Sequence, residues 1–406
     1  TGEVSRFYVN QGGPQAGTIG FYVEDTNNRW GTLISVPADQ EVDPDNLQGA
    51  WRDWTCDCDF ADLDDDGFTD LFHSAYGPNI DGSDDSRIFI NDTTGVFDEL
   101  WPWCFGVQGS TMDIRTHTID LDLVDLDADF DIDVTMSSRN SQGRIYMNNL
   151  YNGLSASAFN DISQFALVAQ GIVSSATANY EGEFGDVDGD GDFDVWFKNW
   201  NGNTDRIMRN DGFTAGSGVQ FSQQNNWIKN DPNNDENEVD FVDFDGDGDL
   251  DSFVANFSGT NHLYVSPQGE LPTGNPGGLT TLDGETADVD NDGDQDLAVA
   301  NDANQQNYLY RNSLGIPDTH APTFHAVTNQ ADKANGSSTV IHAAVRDNTS
   351  YYVVQFYDVK LVYTVNGGSP VSVDMFAQGS MQFRGVIPAQ TDATVAYHVE
   401  ATDLAG

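Results

Sequence analysis

Five copies of one acidic nonapeptide recur along this 406-residue chain. They read DLDDDGFTD from Asp62, DLDADFDID from Asp125, DVDGDGDFD from Asp186, DFDGDGDLD from Asp243 and DVDNDGDQD from Asp288. Asp stands at positions 1, 3, 5 and 9 of every copy, and Gly at position 6 of four of them. A tightly turned loop brings alternate carboxylates to one point, where they repel strongly unless a cation lies between them. A hard divalent ion with oxygen ligands resolves the conflict, and Ca²⁺ suits a flexible carboxylate loop better than Mg²⁺. The expected ligands are Asp62, Asp64, Asp66 and Asp70; Asp125, Asp127, Asp129 and Asp133; Asp186, Asp188, Asp190 and Asp194; Asp243, Asp245, Asp247 and Asp251; and Asp288, Asp290, Asp292 and Asp296. The backbone carbonyl at position 7 (Phe68, Asp131, Asp192, Asp249 and Asp294) is a natural fifth ligand, with water as a sixth. Phe130 occupies position 6 of the second copy, where a left-handed backbone costs more than it does for Gly.

The spacing argues against an EF-hand, which needs a bidentate Glu at position 12. Position 12 is His73, Met136, Phe197, Val254 and Val299, so position 9 must close each site. The residues after position 9 read LFHSAY, VTMSS, VWFKNW, SFVANF and LAVAND. These short β-rich runs mean that each loop feeds a strand and not a helix.

The repeat is longer than the loop. A second motif follows each copy: RIFIN from Arg87, RIYMN from Arg144, RIMRN from Arg206, HLYVS from His262 and YLYRN from Tyr308. Another strand precedes each loop, as in CDFA, DLV, EFG, DFV and ETA. Loop starts lie 63, 61, 57 and 45 residues apart. A unit of several short strands at this period is the signature of a β-propeller blade, which buries its faces only against its neighbours.

The run D-x-D-x-D-G-x-x-D, an apolar strand and then R-I-Y-x-N resembles the FG-GAP/VCBS repeat of calcium-bearing propellers, which occurs in integrin α-subunit heads, fungal lectins and secreted bacterial proteins. The resemblance covers roughly residues 1–315. Only Phe184-Gly185 echoes the FG signature, so the bacterial VCBS variety is the nearer match. It implies an extracellular or cell-surface location, structural calcium (about five ions) and a role in adhesion or binding.

Arg6 to Asn10, RFYVN, is a sixth copy of the post-loop strand without a loop before it. The chain therefore reads as starting mid-repeat, within a longer protein. The fold expected is all-β: a propeller of about six blades, seven if more lies upstream, with Thr18 to Asp25 as a candidate outer strand for the last repeat. A boundary falls at IPDTHAP, from Ile316. Residues 316–406 then read as about seven strands with an Asn366-Gly367-Gly368 hairpin turn. That is the content of an immunoglobulin-like or fibronectin-III-like sandwich, and the ending from Tyr397 to Gly406 resembles bacterial Ig-like modules that follow propellers.

With 16 basic and 66 acidic residues the formal charge is −50. Five Ca²⁺ would leave about −40, an excess that the loops do not explain. It argues against nucleic-acid and anionic-membrane partners. No run of 18 apolar residues exists to cross a membrane. Cys56 and Cys58 share a strand face, so a bond between them would be strained. An outside location permits Cys104 to pair with one of them, Cys58 for preference; three free thiols is the alternative.

No catalytic motif appears. The seven histidines are scattered, and neither G-x-S-x-G nor H-E-x-x-H occurs. Aspartates inside a cation loop are occupied and unsuited to acid–base work. A polysaccharide lyase remains the enzymatic alternative. Trp200 and Trp227, flanked by Asn and Asp, have the setting of a sugar-stacking platform; the competing reading is inter-blade core. The functional classes left open are an adhesion or matrix-binding module, a lectin-like propeller, and a structural subunit that self-assembles outside the cell.

Overall fold

The structure is a computed structural model and describes residues 6–10, 22–31, 56–74, 86–99, 118–138, 144–148, 159–161, 179–199, 205–214, 218–224, 227, 236–257, 259–266, 269–271, 280–290, 292–349, 351 and 358–403. Trp200 and Cys104 lie outside these, so the Cys58–Cys104 pairing and half of the tryptophan platform do too.

The chain is all-β. A partial unit pairs β1 (Tyr8–Asn10) with β2 (Tyr22–Glu24), followed by a short helix at Thr26–Arg29. Five antiparallel meanders follow. Blade 1 is β3 (Cys58–Ala61), β4 (Asp70–His73), β5 (Arg87–Asn91) and β6 (Phe97–Glu99). Blade 2 is β7 (Thr118–Val124), β8 (Asp133–Ser138), β9 (Arg144–Asn148) and β10 (Phe159–Asp161). Blade 3 is β11 (Asn179–Gly185), β12 (Asp194–Asn199), β13 (Arg206–Thr214) and β14 (Gly218–Gln223). Blade 4 is β15 (Glu236–Val242), β16 (Asp251–Asn256), β17 (His262–Val265) and β18 (Gly269–Leu271). Blade 5 has β19 (Thr281–Ala287), β20 (Asp296–Asn301) and β21 (Tyr308–Tyr310). Each acidic nonapeptide joins the first strand of a blade to the second.

The blades stack in chain order through separate apolar interfaces. Ala61, Leu63, Phe72 and Ile88 meet Leu121, Leu123, Val134 and Tyr146 between blades 1 and 2. Trp196 and Ile207 meet Val239, Phe241 and Tyr264 between blades 3 and 4. Phe244 and Phe253 meet Val299 and Leu297 between blades 4 and 5. Burying one such side chain contributes about 1.5–3 kcal/mol, which no single meander could gain alone. Phe7 and Trp30 of the partial unit close over Phe89 and Phe97 of blade 1. Tyr22–Glu24 thus pairs inside the partial unit and not with blade 5, because RFYVN offers it a nearer edge.

The C-terminal strands β22 (Thr323–Val327), β23 (Thr339–Arg346), β24 (Lys360–Val365), β25 (Val371–Asp374), β26 (Phe376–Gly379), β27 (Gln382–Ile387) and β28 (Val395–Glu400) form two sheets, ordered β22-β23-β27-β26 and β25-β24-β28. Their inner faces share one core around Ile341, Val345, Leu361, Tyr363 and Phe383. Two antiparallel sheets in this order make an immunoglobulin-like sandwich. Asn366 and Gly367 adopt φ of 52° and 69° at the β24–β25 turn, as the Asn-Gly signal requires.

Candidate metal centre

Each acidic loop is built the same way. Oδ2 of the first Asp accepts the N–H of position 6: Gly67 to Asp62 at 2.9 Å, Gly191 to Asp186 at 3.1 Å, Gly248 to Asp243 at 2.8 Å and Gly293 to Asp288 at 3.0 Å. These glycines hold φ between 93° and 104°. In the second loop Phe130 adopts the same left-handed region, φ 73°, and its N–H still reaches Asp125 at 3.1 Å. Its ring stacks on His342 of the sandwich, centroids 5.4 Å apart, which offsets the backbone strain. Phe130→Ala keeps the strain and loses the stacking, so it should cost about 1–2 kcal/mol in a denaturant melt, with Phe130→Gly costing less.

Position 9 has a second duty. One oxygen accepts the N–H of position 2, as Leu126 donates to Asp133 at 3.0 Å and Val187 to Asp194 at 3.1 Å. The other accepts a backbone N–H from the third strand or the residues just after it: Asn91 to Asp70, Asn148 to Asp133, Asn210 to Asp194, Ser266 to Asp251 and Asn312 to Asp296, all at 2.8–2.9 Å. The Asn that ends the R-I-Y-x-N motif is therefore placed by the loop. Its side chain then reaches the preceding loop, as Asn148 Nδ2 donates to the Leu63 carbonyl at 2.9 Å and Asn312 Nδ2 to that of Phe244 at 2.8 Å. Loop, strand end and neighbouring blade form one network.

In four loops, positions 1, 3 and 9 offer carboxylate oxygens that all lie within 4.8 Å of one another; in the first, positions 1, 3 and 5 do so. Each triad could hold a metal ion. Oxygens of Asp127, Asp186, Asp192, Asp290 and Asp294 are buried without a hydrogen-bond partner, and an all-oxygen donor set fits a hard divalent cation. Burial, and then repulsion between neighbouring aspartates, pushes Asp64 up to about 6 and Asp127 to about 7. Burial is also the main cause that lifts Asp194 to about 8 and Asp251 to about 7.

What the sequence reading did not foresee is that the sandwich covers these loops. Gln378 Nε2 donates to Asp62 Oδ2 at 2.9 Å, and the Gln378 carbonyl accepts the Asp62 N–H at 2.7 Å. Ser380 Oγ accepts the Asp125 N–H at 2.9 Å, while Gln382 Nε2 donates to Asp125 Oδ2. Asn348 Nδ2 donates to Asp243 Oδ2 at 2.8 Å. His325 stands 3.8 Å from Asp186. Four of the five position-1 aspartates thus touch a residue beyond 316. The linker lies on the loops as well, with Asp318 donating its N–H to the Gly293 carbonyl at 2.9 Å. Asp65, the extra acid of the first loop, binds Arg384 Nε at 2.8 Å and His342 Nε2 at 2.9 Å.

The β26–β27 hairpin is the main contact. Its two turn residues, Ser380 and Met381, both have φ of 52° without being Gly, a strained turn held by what it touches. Met381 is 1% exposed inside the core between blades 2 and 3. Tyr351 enters the same core, edge-on to Phe184 and Phe193, and its hydroxyl donates to Asp122 Oδ1 at 2.8 Å. Tyr351→Phe keeps the packing and leaves that bond unmade, so it should cost about 1–2 kcal/mol at equilibrium.

The tryptophans divide. Trp196 is buried, donates its indole N–H to Asp205 at 3.2 Å and lies under Lys198, whose ammonium pairs with Asp205 at 2.6 Å. Trp227 is half-buried against the same inter-blade cluster. Among the described residues no helix is long and apolar enough to cross a membrane.

No family model matches this chain, and no curated protein does. Solved structures with similarity include BBS1N in complex with ARL6DN, at 13% identity and TM-score 0.35 over 73% of this chain and 78% of that one. An exo-β-1,3-galactanase from Phanerochaete chrysosporium is similar at 9% identity and TM-score 0.36, over 85% and 94%. The V. cholerae biofilm matrix protein Bap1 is similar at 13% identity and TM-score 0.37, over 93% and 74%.

Proposed function

We propose that this chain is the calcium-stabilised binding portion of a secreted or cell-surface adhesion protein, without catalytic activity of its own. It comprises a propeller over residues 1–315 and an Ig-like module over 316–406 that present one rigid surface to an extracellular protein or matrix. The ions are structural Ca²⁺, one per acidic loop, held by the aspartates at positions 1, 3, 5 and 9 and the position-7 carbonyl. The observation that carries this reading is the double use of the position-1 aspartates. The same carboxylates that converge in the loops also anchor Gln378, Gln382 and Asn348 of the second module. An ion in each loop would fix the orientation of these carboxylates and so the placement of the sandwich. Calcium then sets the shape of the whole binding unit, which suits an adhesin working where calcium is millimolar.

Limited proteolysis of the full chain tests this. In 5 mM Ca²⁺ the 316–322 linker should resist cleavage, because it lies against the fourth and fifth loops; in EGTA it should be cut at least tenfold faster. Equal rates would sink the proposed coupling of calcium to module placement. Binding to immobilised matrix proteins and polysaccharides, with and without calcium, then separates adhesion from enzymatic release of product, which would overturn the non-catalytic reading.

A further inference from the structure

The first strand of every blade carries a pattern that the loops do not use. The residues five and three before each loop are acidic in all five copies, from Asp57 and Asp59 in the first to Asp283 and Glu285 in the fifth. Side chains alternate across a strand, so both acids share one face while the residues beside them pack between blades, as Leu121 and Leu123 do. In blades 2 to 5 a register shift falls just before the first of these acids, between Thr118 and Asp120, Asn179 and Glu181, Glu236 and Glu238, and Thr281 and Asp283. A β-bulge at a fixed place re-aims the side chains that follow it. Neighbouring first strands lie side by side, and all five line one cavity of about 540 Å³. Nine of its lining residues are Asp or Glu, and among the described residues none is basic.

Part of this acidity is structural. Asp57 Oδ2 accepts the N–H of Leu121, Asp120 Oδ2 that of Gly182 and Glu181 Oε1 that of Val239, each at 3.0 Å, so one blade clasps the next. A neutral Asn or Gln would make the same clasp, and the clasp uses one oxygen only. The other oxygen of Glu181 is buried with no hydrogen-bond partner. Glu183 makes no clasp at all: it is 4% exposed, and its Oε1 is likewise unpartnered. Burial, and then the charges of Glu181 and Asp283 on the blades either side, hold the Glu238 carboxyl well above the usual carboxylate range, so carboxyl groups of three blades act on one another. Lys198, the cation that acts on Glu181, is committed to Asp205. Carboxylates from adjacent strands that line one cavity, with buried oxygens left over, are what a hard cation at about 2.3–2.6 Å from each oxygen would bridge.

We infer that the cavity between the first strands is a further divalent-cation site, separate from the five loops, with Glu181, Glu183, Glu238 and Asp283 as its ligands. Tyr351 stands at one side of it through its bond to Asp122 and ties the sandwich to the same site. Such a site also accounts for part of the negative charge that the loops leave over.

The test is equilibrium dialysis of the full chain against Ca²⁺ at pH 8, with bound metal counted by elemental mass spectrometry. Wild type should bind more than the loop variant Asp188→Asn by one ion, and more than Glu183→Gln by at least one, with the two losses additive in the double variant. Removing one buried charge should also make Glu183→Gln melt higher than wild type in EDTA and gain less on addition of Ca²⁺. If Glu183→Gln fails to fold, Glu238→Gln serves, since it keeps hydrogen-bonding capacity. Counts equal to wild type in both cavity variants would overturn the inference. So would uptake of spermine by wild type alone with unchanged Ca²⁺, which would make the cavity a polyamine site. Loss of ions in Asp188→Asn but not in the cavity variants would leave the loop reading standing and remove this one.

Discussion

Stripping Ca²⁺ from the full chain is expected to lower its melting temperature by well over ten degrees and to reverse the sign of its pH dependence. The size follows from mass action. Loops of this kind bind in the ~10⁻⁴–10⁻³ M range, so at 10 mM Ca²⁺ each contributes about 1.4–2.7 kcal/mol. Five together give roughly 7–14 kcal/mol, and each kcal/mol is worth about 2–4 °C in a domain of this order of size. The sign follows from the carboxylates. Without ions, burial and then mutual repulsion raise Asp64 to about 6 and Asp127 to about 7. Burial chiefly raises Asp70 and Asp194 to about 8. All start from 3.8, so the ion-free folded state holds more protons than the unfolded chain between about pH 4 and pH 8. Its stability therefore falls as pH rises through that window. In EDTA the melting temperature should rise on going from pH 8 to pH 5. In saturating Ca²⁺ protons compete with metal for the same oxygens, so it should fall over the same interval. Scanning calorimetry at four pH values in each buffer decides it. Parallel slopes, or a melt indifferent to EDTA, would remove structural calcium from the account.

The second large effect distinguishes two aspartates of one loop. Asp194→Ala, at position 9, should destabilise the chain by about 3–5 kcal/mol even in EDTA, whereas Asp190→Ala, at position 5, should change the EDTA melt by less than about 1 kcal/mol and weaken only the calcium response. Asp194 is fully buried and accepts two backbone N–H groups, from Val187 at 3.1 Å and Asn210 at 2.9 Å. Deleting it orphans both, at about 1–3 kcal/mol each, and unties the third strand from the loop. Asp190 is exposed and accepts chiefly from the neighbouring Asp192 N–H at 3.3 Å. Urea melts of both variants, with and without Ca²⁺, read the contrast. Equal losses in EDTA would mean that position 9 acts only through the metal.

The same two residues show how far the sequence can be read. That Asp194 and Asp190 belong to one loop, that the loop feeds a strand, and that it recurs once per blade all follow from local spacing. Position 12 lacks Glu, and apolar runs with a period of two follow each loop. The acids before each loop were equally legible, since Glu181, Glu183 and their counterparts keep a fixed offset from it, but their meaning depends on five strands converging. Trp227 was less legible: a tryptophan among Asn residues reads as a surface platform until it is seen half-buried against the cluster of Trp196, Val239 and Tyr264.

The sequence by itself determined the acidic loops and the short alternating strands of the blades and the sandwich, because each is set by spacing between near neighbours in the chain. Only the tertiary structure decided that Gln378, Ser380 and Gln382 reach Asp62 and Asp125, more than 250 residues away in the chain. It also decided that Met381 fills an inter-blade core and that the first strands line a shared acidic cavity. These contacts carry no local periodicity. They arise from the geometric fit of one folded module on another, which a pattern of neighbours along the chain does not encode.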